Sequence, residues 1–144
     1  MRVVLDTNVL VRANKRATGP AREVLTRLCS KAHGLIASPF LLAELVRVLN
    51  YSRVQAQYRL TPEEILEFAE ELQRMAQVVA PDAGDVAAPM AKDPDDNPMI
   101  QTAVRGHAEI LCTLDAHFRH TDVQAYCAQH GIRVMTDVEL LVLL

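Results

Sequence analysis

Four acidic residues scattered along this 144-residue chain could meet to do chemistry: Asp6, Glu44, Asp96 and Asp115. Asp6 follows the apolar run Val3-Val4-Leu5, and Asp115 follows Ile110-Leu111-Cys112-Thr113-Leu114. Glu44 is set in FLLAELVRVLNY, a stretch apolar almost all round, where an unpaired carboxylate would be costly to bury. Asp96 closes a cluster with Asp93 and Asp95 in KDPDDNPM. Structural readings compete for these acids: Arg47 could pair with Glu44 across one helical turn, and an Asp could cap the helix after the cluster. One cap accounts for one Asp, whereas three acids in four positions repel one another, and a bound cation removes that repulsion. Oxygen-only ligands suit Mg²⁺ or Mn²⁺, while zinc sites usually recruit His or Cys. One or two such ions could activate water for in-line attack on a phosphodiester and neutralise the leaving oxygen.

The elements that must position these acids follow from hydrophobic periodicity. Val3 to Leu5 reads as a buried parallel strand, with residues 9–16 as the loop and first turn after it. A helix is expected over 21–31, a strand over 35–37, and a helix over 40–51 opened by Ser38 as N-cap with Pro39 at its first position. Thr61-Pro62-Glu63-Glu64 is a capping box starting a helix to about residue 77, whose glutamates form a solvated acidic face. A strand over 78–80, a loop over 81–92, a helix over 97–105 and a strand over 110–113 come next. A helix over 121–130, a strand over 132–135 and a capping box at Thr136 complete the chain, ending in VELLVLL, which must dock on the core or on a partner. Alternation of this kind implies a three-layer α/β/α sandwich around a parallel sheet of about five strands, in a single domain over 1–144. In such sheets ligands bind outside the strands' carboxyl ends, where Asp6 and Asp115 fall.

Composition narrows the setting. Hydrophobic residues make up 50% and charged residues 23%, as expected of a globular domain. Aromatic residues are only 4%, too few for a stacking platform as the main mode of nucleic-acid binding. Residues 1–60 carry ten Lys/Arg against three acids, and residues 61–144 carry five against fifteen. That asymmetry allows a basic surface beside an acidic pocket, with Arg12, Arg16 and Arg47 as candidate contacts to a polyanion. Cys29, Cys112 and Cys127 lack metal-finger spacing and read as reduced packing thiols. His117 and His120 read as exposed loop residues. With no membrane-length apolar run and no signal-like segment, a cytoplasmic location is expected.

Four segments together resemble the PIN-domain nucleases, most closely the group of toxins from toxin-antitoxin pairs: VVLDTNVLV, SPFLLAELVRVL, DPDDNPMIQTA and CTLDAHF. The resemblance assigns the family's four acids to Asp6, Glu44, Asp96 and Asp115, with Asp96 preferred over Asp95 by its spacing to Met99 and Ala103. Asn8, Ser38 and Thr113 match residues that support the site. It implies a Mg²⁺- or Mn²⁺-dependent endoribonuclease, with RNA as substrate, a small antitoxin as partner and a homodimer as assembly. Leu114, where relatives often carry Gly, and Pro98, after Asp96, depart from the pattern. The alternatives are an RNA-processing nuclease outside a toxin system and a PIN-like module that binds RNA or a partner without cutting. A receiver domain would want paired acids after the first strand, and a haloacid-dehalogenase-type phosphatase would want Asp at position 8, where this chain has Asn8.

Overall fold

Val3, Val4 and Leu5 have no exposed surface, and their unbroken apolar pattern reflects a strand covered on both faces. This is β1 (Arg2–Leu5) of a computed structural model that describes residues 1–30, 32–81 and 97–144. β2 (Gly34–Ala37), β3 (Gln77–Val78), β4 (Ile110–Cys112) and β5 (Arg133–Met135) join it in one sheet of order β3-β2-β1-β4-β5. Every pairing is parallel; Val3 lies opposite Leu35 on one side and Ile110 on the other. The chain runs outward through β2 and β3, then returns to β4 on the far side of β1. Strand order therefore reverses between β1 and β4, which opens a crevice at their carboxyl ends.

The helices are α1 (Thr7–Val11), α2 (Pro20–Leu28), α3 (Pro39–Leu49), α4 (Ser52–Tyr58), α5 (Pro62–Met75), α6 (Asn97–Arg105), α7 (Thr121–Gln129) and α8 (Asp137–Leu143). They complete a three-layer α/β/α sandwich, in which α6 packs on β1, β2 and β4, α5 on β2 and β3, and α7 on β5. The start signals act as their chemistry dictates. The Ser38 hydroxyl caps α3, and Thr61 with Glu64 and Thr136 with Glu139 close reciprocal capping boxes on α5 and α8.

Two helices differ from the expectation. The segment after β1 forms the single-turn α1, because Asp6 caps it, and SRVQAQY forms α4, of which only Val54 is buried. One buried residue in seven leaves no amphipathic periodicity to read. β3 lies at Gln77–Val78, earlier than the expected 78–80, and both its residues are exposed at the sheet's edge. The terminal helix does dock: α8 packs against α2 with Leu140 fully buried, yet Val138, Val142 and Leu143 stay exposed. Cys112 and Cys127 are buried and Cys29 exposed, all three as free thiols. Burial pushes the Cys127 thiol up to about 11 and raises Cys112 as well, so both are unreactive packing groups.

Candidate active site at the carboxyl edge of the sheet

Hydrogen bonding of the sheet continues past the strands into the site. The Asp6 amide donates to the Cys112 carbonyl at 2.9 Å, and the Thr113 amide to the Met135 carbonyl at 2.9 Å. Both backbones are thus fixed by the ladder before any side chain acts. Asp6 then turns the chain into α1, its side chain accepting from the Thr7 amide at 2.7 Å and its carbonyl from the amides of Val9 and Leu10.

The second oxygen of Asp6 is held from two sides. The Thr113 hydroxyl donates to it at 2.7 Å, and the Asn8 side-chain amide at 3.3 Å. Each of these partners also grips the loop after β4. Thr113 Oγ1 accepts from the Asp115 amide at 3.0 Å, and Asn8 Oδ1 from the Leu114 amide at 3.2 Å. Asn8 and Thr113 are therefore braces that join the segment behind β1 to the segment behind β4. Leu114 fits this loop without left-handed backbone, since the positive φ values of non-glycine residues fall at Arg59 and His107.

Asp6 is only 8% exposed. Burial raises its carboxyl above the ordinary range, the hydrogen bonds from Thr113 and Thr7 act against that shift, and the charge of Asp115 adds to it. Asp6 and Asp115 are thus brought close enough to feel each other. Asp115 caps a 3-10 turn (Ala116–Arg119), accepting from the His117 amide at 2.9 Å, with the His117 ring 3.5 Å away. His117 and His120 are exposed, as expected of that loop.

Glu44 lies midway along α3, which packs against α1 and α6. Its side chain is 27% exposed and its carboxylate stands 4.0 Å from Arg47, whose side chain is 65% exposed. At that distance and exposure the pair contributes little, so Arg47 does not neutralise Glu44 as a buried partner would. Asp96 lies outside the described residues, as do Asp93, Asp95 and all but the first residue of the expected loop over 81–92. The helix that follows is in place as α6, with Pro98 at its second position, where proline is tolerated.

A further residue, Thr102, joins this architecture without having been singled out in the sequence. It is fully buried, and its hydroxyl shares a 2.8 Å hydrogen bond with that of Ser38 while reaching the Pro98 carbonyl at 2.7 Å. The start of the Glu44 helix is thereby tied to the helix that follows Asp96. The signal was a hydroxyl on the inner face of α6, beside Met99, Ile100 and Ala103.

The three candidate arginines are placed differently. Arg12 is exposed and lines a cleft beside Asn8. Arg16 makes two bonds to Glu64, at 2.8 and 3.1 Å, which hold that carboxyl down at about 2. Arg47 is the exposed neighbour of Glu44. Lys15 joins Arg16 in facing the acidic side of α5, at 3.3 Å from Glu67 and 3.1 Å from Glu71.

The donor set suits a hard cation. Asp6 keeps a free lone pair on the oxygen that takes only the Thr7 amide, and burial above all, with the charge of Asp115 adding to it, raises its carboxyl. The Thr7 hydroxyl adjoining Asp6 is buried without a hydrogen-bond partner among the described residues. Among those residues no three His, Cys, Asp or Glu side chains form a ready metal cage.

The comparisons with known proteins agree with this architecture. The family model described as PIN domain matches residues 2–117. A structure of VapBC2 from Rickettsia felis, bound to a DNA fragment from their promoter, superposes with a TM-score of 0.58 at 16% identity, covering 94% of this chain and 98% of that one. At that identity the likeness speaks for the fold. No curated protein sequence matches significantly. A five-stranded parallel sheet with Asp6 and Asp115 at its switch point, and a family match over most of its length, make this chain a member of the PIN domain family.

Proposed function

We propose that this protein is a divalent-metal-dependent endoribonuclease that hydrolyses RNA phosphodiester bonds, with Asp6, Glu44, Asp96 and Asp115 as metal-binding and catalytic acids. The observation that carries the reading is the bracing of Asp6: a buried carboxylate fixed by Thr7, Asn8 and Thr113 at the switch point, in the field of Asp115. So much positioning of one costly charge is expected of a ligand and is superfluous for a helix cap. Mg²⁺ or Mn²⁺ bound there, one ion or two, would supply an activated water and neutralise the departing oxygen. Asp6 and Asp115 present the carboxylate oxygens, and Thr113 and Asn8 hold both in register. Ser38 and Thr102 keep α3, and with it Glu44, against α6.

Within this reading the protein is the toxin of a toxin-antitoxin pair, acting in the cytoplasm as a homodimer restrained by a small antitoxin. The fold it shares with the VapBC2 structure supports that role. Among the described residues no helix is long and apolar enough to cross a membrane. Incubation of the purified chain with single-stranded RNA and Mn²⁺ or Mg²⁺ should give cleavage that EDTA stops and added metal restores. Undiminished cutting in EDTA would overturn the metal role, and full activity of Asp96→Asn would remove that residue from the site.

A further inference from the structure

Four of the eight arginines in the first sixty residues are engaged in hydrogen bonds. Arg2 bonds the Gly106 carbonyl and Gln77, Arg16 bonds Glu64, Arg22 the Ala13 carbonyl, and Arg27 Glu23. Arg12 and Arg53 are exposed, and their side chains make no hydrogen bond or ion pair with any described residue. Both line one cleft of about 540 Å³, between the segment after β1 and helix α4. Its wall includes Asn8, the brace of Asp6, so the cleft opens directly beside the candidate active site. Gln57 and the half-buried Tyr58 of α4 face it, and Asp137, 6% exposed at the start of α8, bounds it elsewhere.

Two guanidiniums without a side-chain partner among the described residues, lining one cleft with an aromatic ring and with Asn8, the brace of Asp6, match the parts of one nucleotide. Guanidinium groups bind phosphate oxygens in a fork. A tyrosine ring offers a stacking surface that any base can use. The Asp137 carboxylate and the Gln57 amide, which also line the cleft, can accept from and donate to base edges or a ribose hydroxyl. We propose that this cleft seats one unpaired nucleotide of the RNA, flanking the bond to be cut, with Arg12 and Arg53 on its phosphate and Tyr58 against its base. This rests on the nuclease reading above and adds to it the place where a flanking nucleotide sits, which must be unpaired because a base held in a duplex cannot enter a cleft.

The test is binding of a fluorescent single-stranded RNA to the full chain by anisotropy in EDTA over a range of salt, with metal-dependent cleavage measured in parallel. Arg53→Gln, on an exposed position of α4, should weaken binding several-fold and lower the slope of log Kd against log salt by about 0.7, one phosphate contact on a single strand. In cleavage the loss should fall on KM more than on kcat. Tyr58→Leu, which keeps the apolar packing, should weaken binding about tenfold with the salt slope unchanged. Arg74→Gln is the control, an exposed arginine at the end of α5 that leads into the start of β3, at the opposite edge of the sheet. A hairpin of the same length should compete poorly. Wild-type protein that cuts RNA while Arg53→Gln and Tyr58→Leu match it in affinity and slope would overturn the cleft alone. A wild type that neither binds nor cuts RNA would overturn the nuclease reading with it. Equal displacement of the RNA by a polyglutamate peptide would show that the cleft reads only charge, which also contradicts a nucleotide seat.

Discussion

Thr113 carries more of the site than its size suggests, since one hydroxyl donates to Asp6 and accepts from the Asp115 amide. Thr113→Val keeps the shape and removes both bonds. It should cost about 1–3 kcal/mol of stability, read by urea denaturation, and lower cleavage about 10- to 100-fold, with Thr113→Ser recovering most of both. Asp6 itself opposes folding when ionised, because burial raises its carboxyl above the unfolded value of 3.8. By linkage, its contribution is fully favourable below that value and is lost as the pH rises through the folded pKa. Asp6→Asn removes the titrating group, so the fall in the metal-free wild-type midpoint as the pH rises from acid to neutral should be smaller in the variant. An unchanged pH dependence in the variant would show that another group carries it. Metal should then raise the wild-type midpoint and leave that of the variant nearly unchanged.

Among the elements, α6 is positioned by a close approach and a buried pair of hydroxyls. A Cβ on Gly106 would lie 2.5 Å from Cγ2 of Ile36, which is 1% exposed and has no room to yield. Gly106→Ala should therefore destabilise by about 1–3 kcal/mol, measured by denaturant midpoint. Ser38→Ala, which removes the cap of α3 and the partner of Thr102, should cost about 0.5–2 kcal/mol. On α5, the depressed Glu64 carboxyl gives the opposite pH sign to Asp6. Its pairing with Arg16 stabilises above the ordinary value of 4.5 and is lost as the pH falls toward about 2, and salt should weaken it. These elements differ in how far the sequence discloses them. β1, β2, β4 and β5, and the starts of α3, α5 and α8, were legible because continuous apolar runs and Ser, Thr and Pro at helix starts act locally. α4 was not, because one buried residue leaves no pattern. Asn8 and Thr113 were legible through the family motif, whereas Thr102 became a partner of Ser38 only when residues 64 positions apart met in the fold. The charge asymmetry was visible, but its use was not: Lys15 and Arg16 serve the acidic face of α5, and Arg53 emerges beside Arg12 only because α4 turns it there.

At the scale of the whole molecule, the parallel sheet gathers residues from distant parts of the chain at one edge. Asp6 and Asp115 flank the reversal between β1 and β4, α3 carries Glu44 from the end of β2, and α6 follows Asp96 in sequence. At the opposite edge Arg2 bonds the Gly106 carbonyl and the Gln77 side chain. Chemistry confined to one edge predicts that substitutions at Asp6 abolish activity without unfolding the sheet. The most direct measurement is the single-turnover rate of RNA cleavage by wild type and Asp6→Asn, side by side in saturating Mn²⁺, with folding of both checked by circular dichroism. On the proposed role of Asp6 as a metal ligand, its loss should lower the rate at least about 100-fold in a fully folded variant. A folded Asp6→Asn that cuts RNA as fast as wild type would contradict the assignment of Asp6 as the centre of the site.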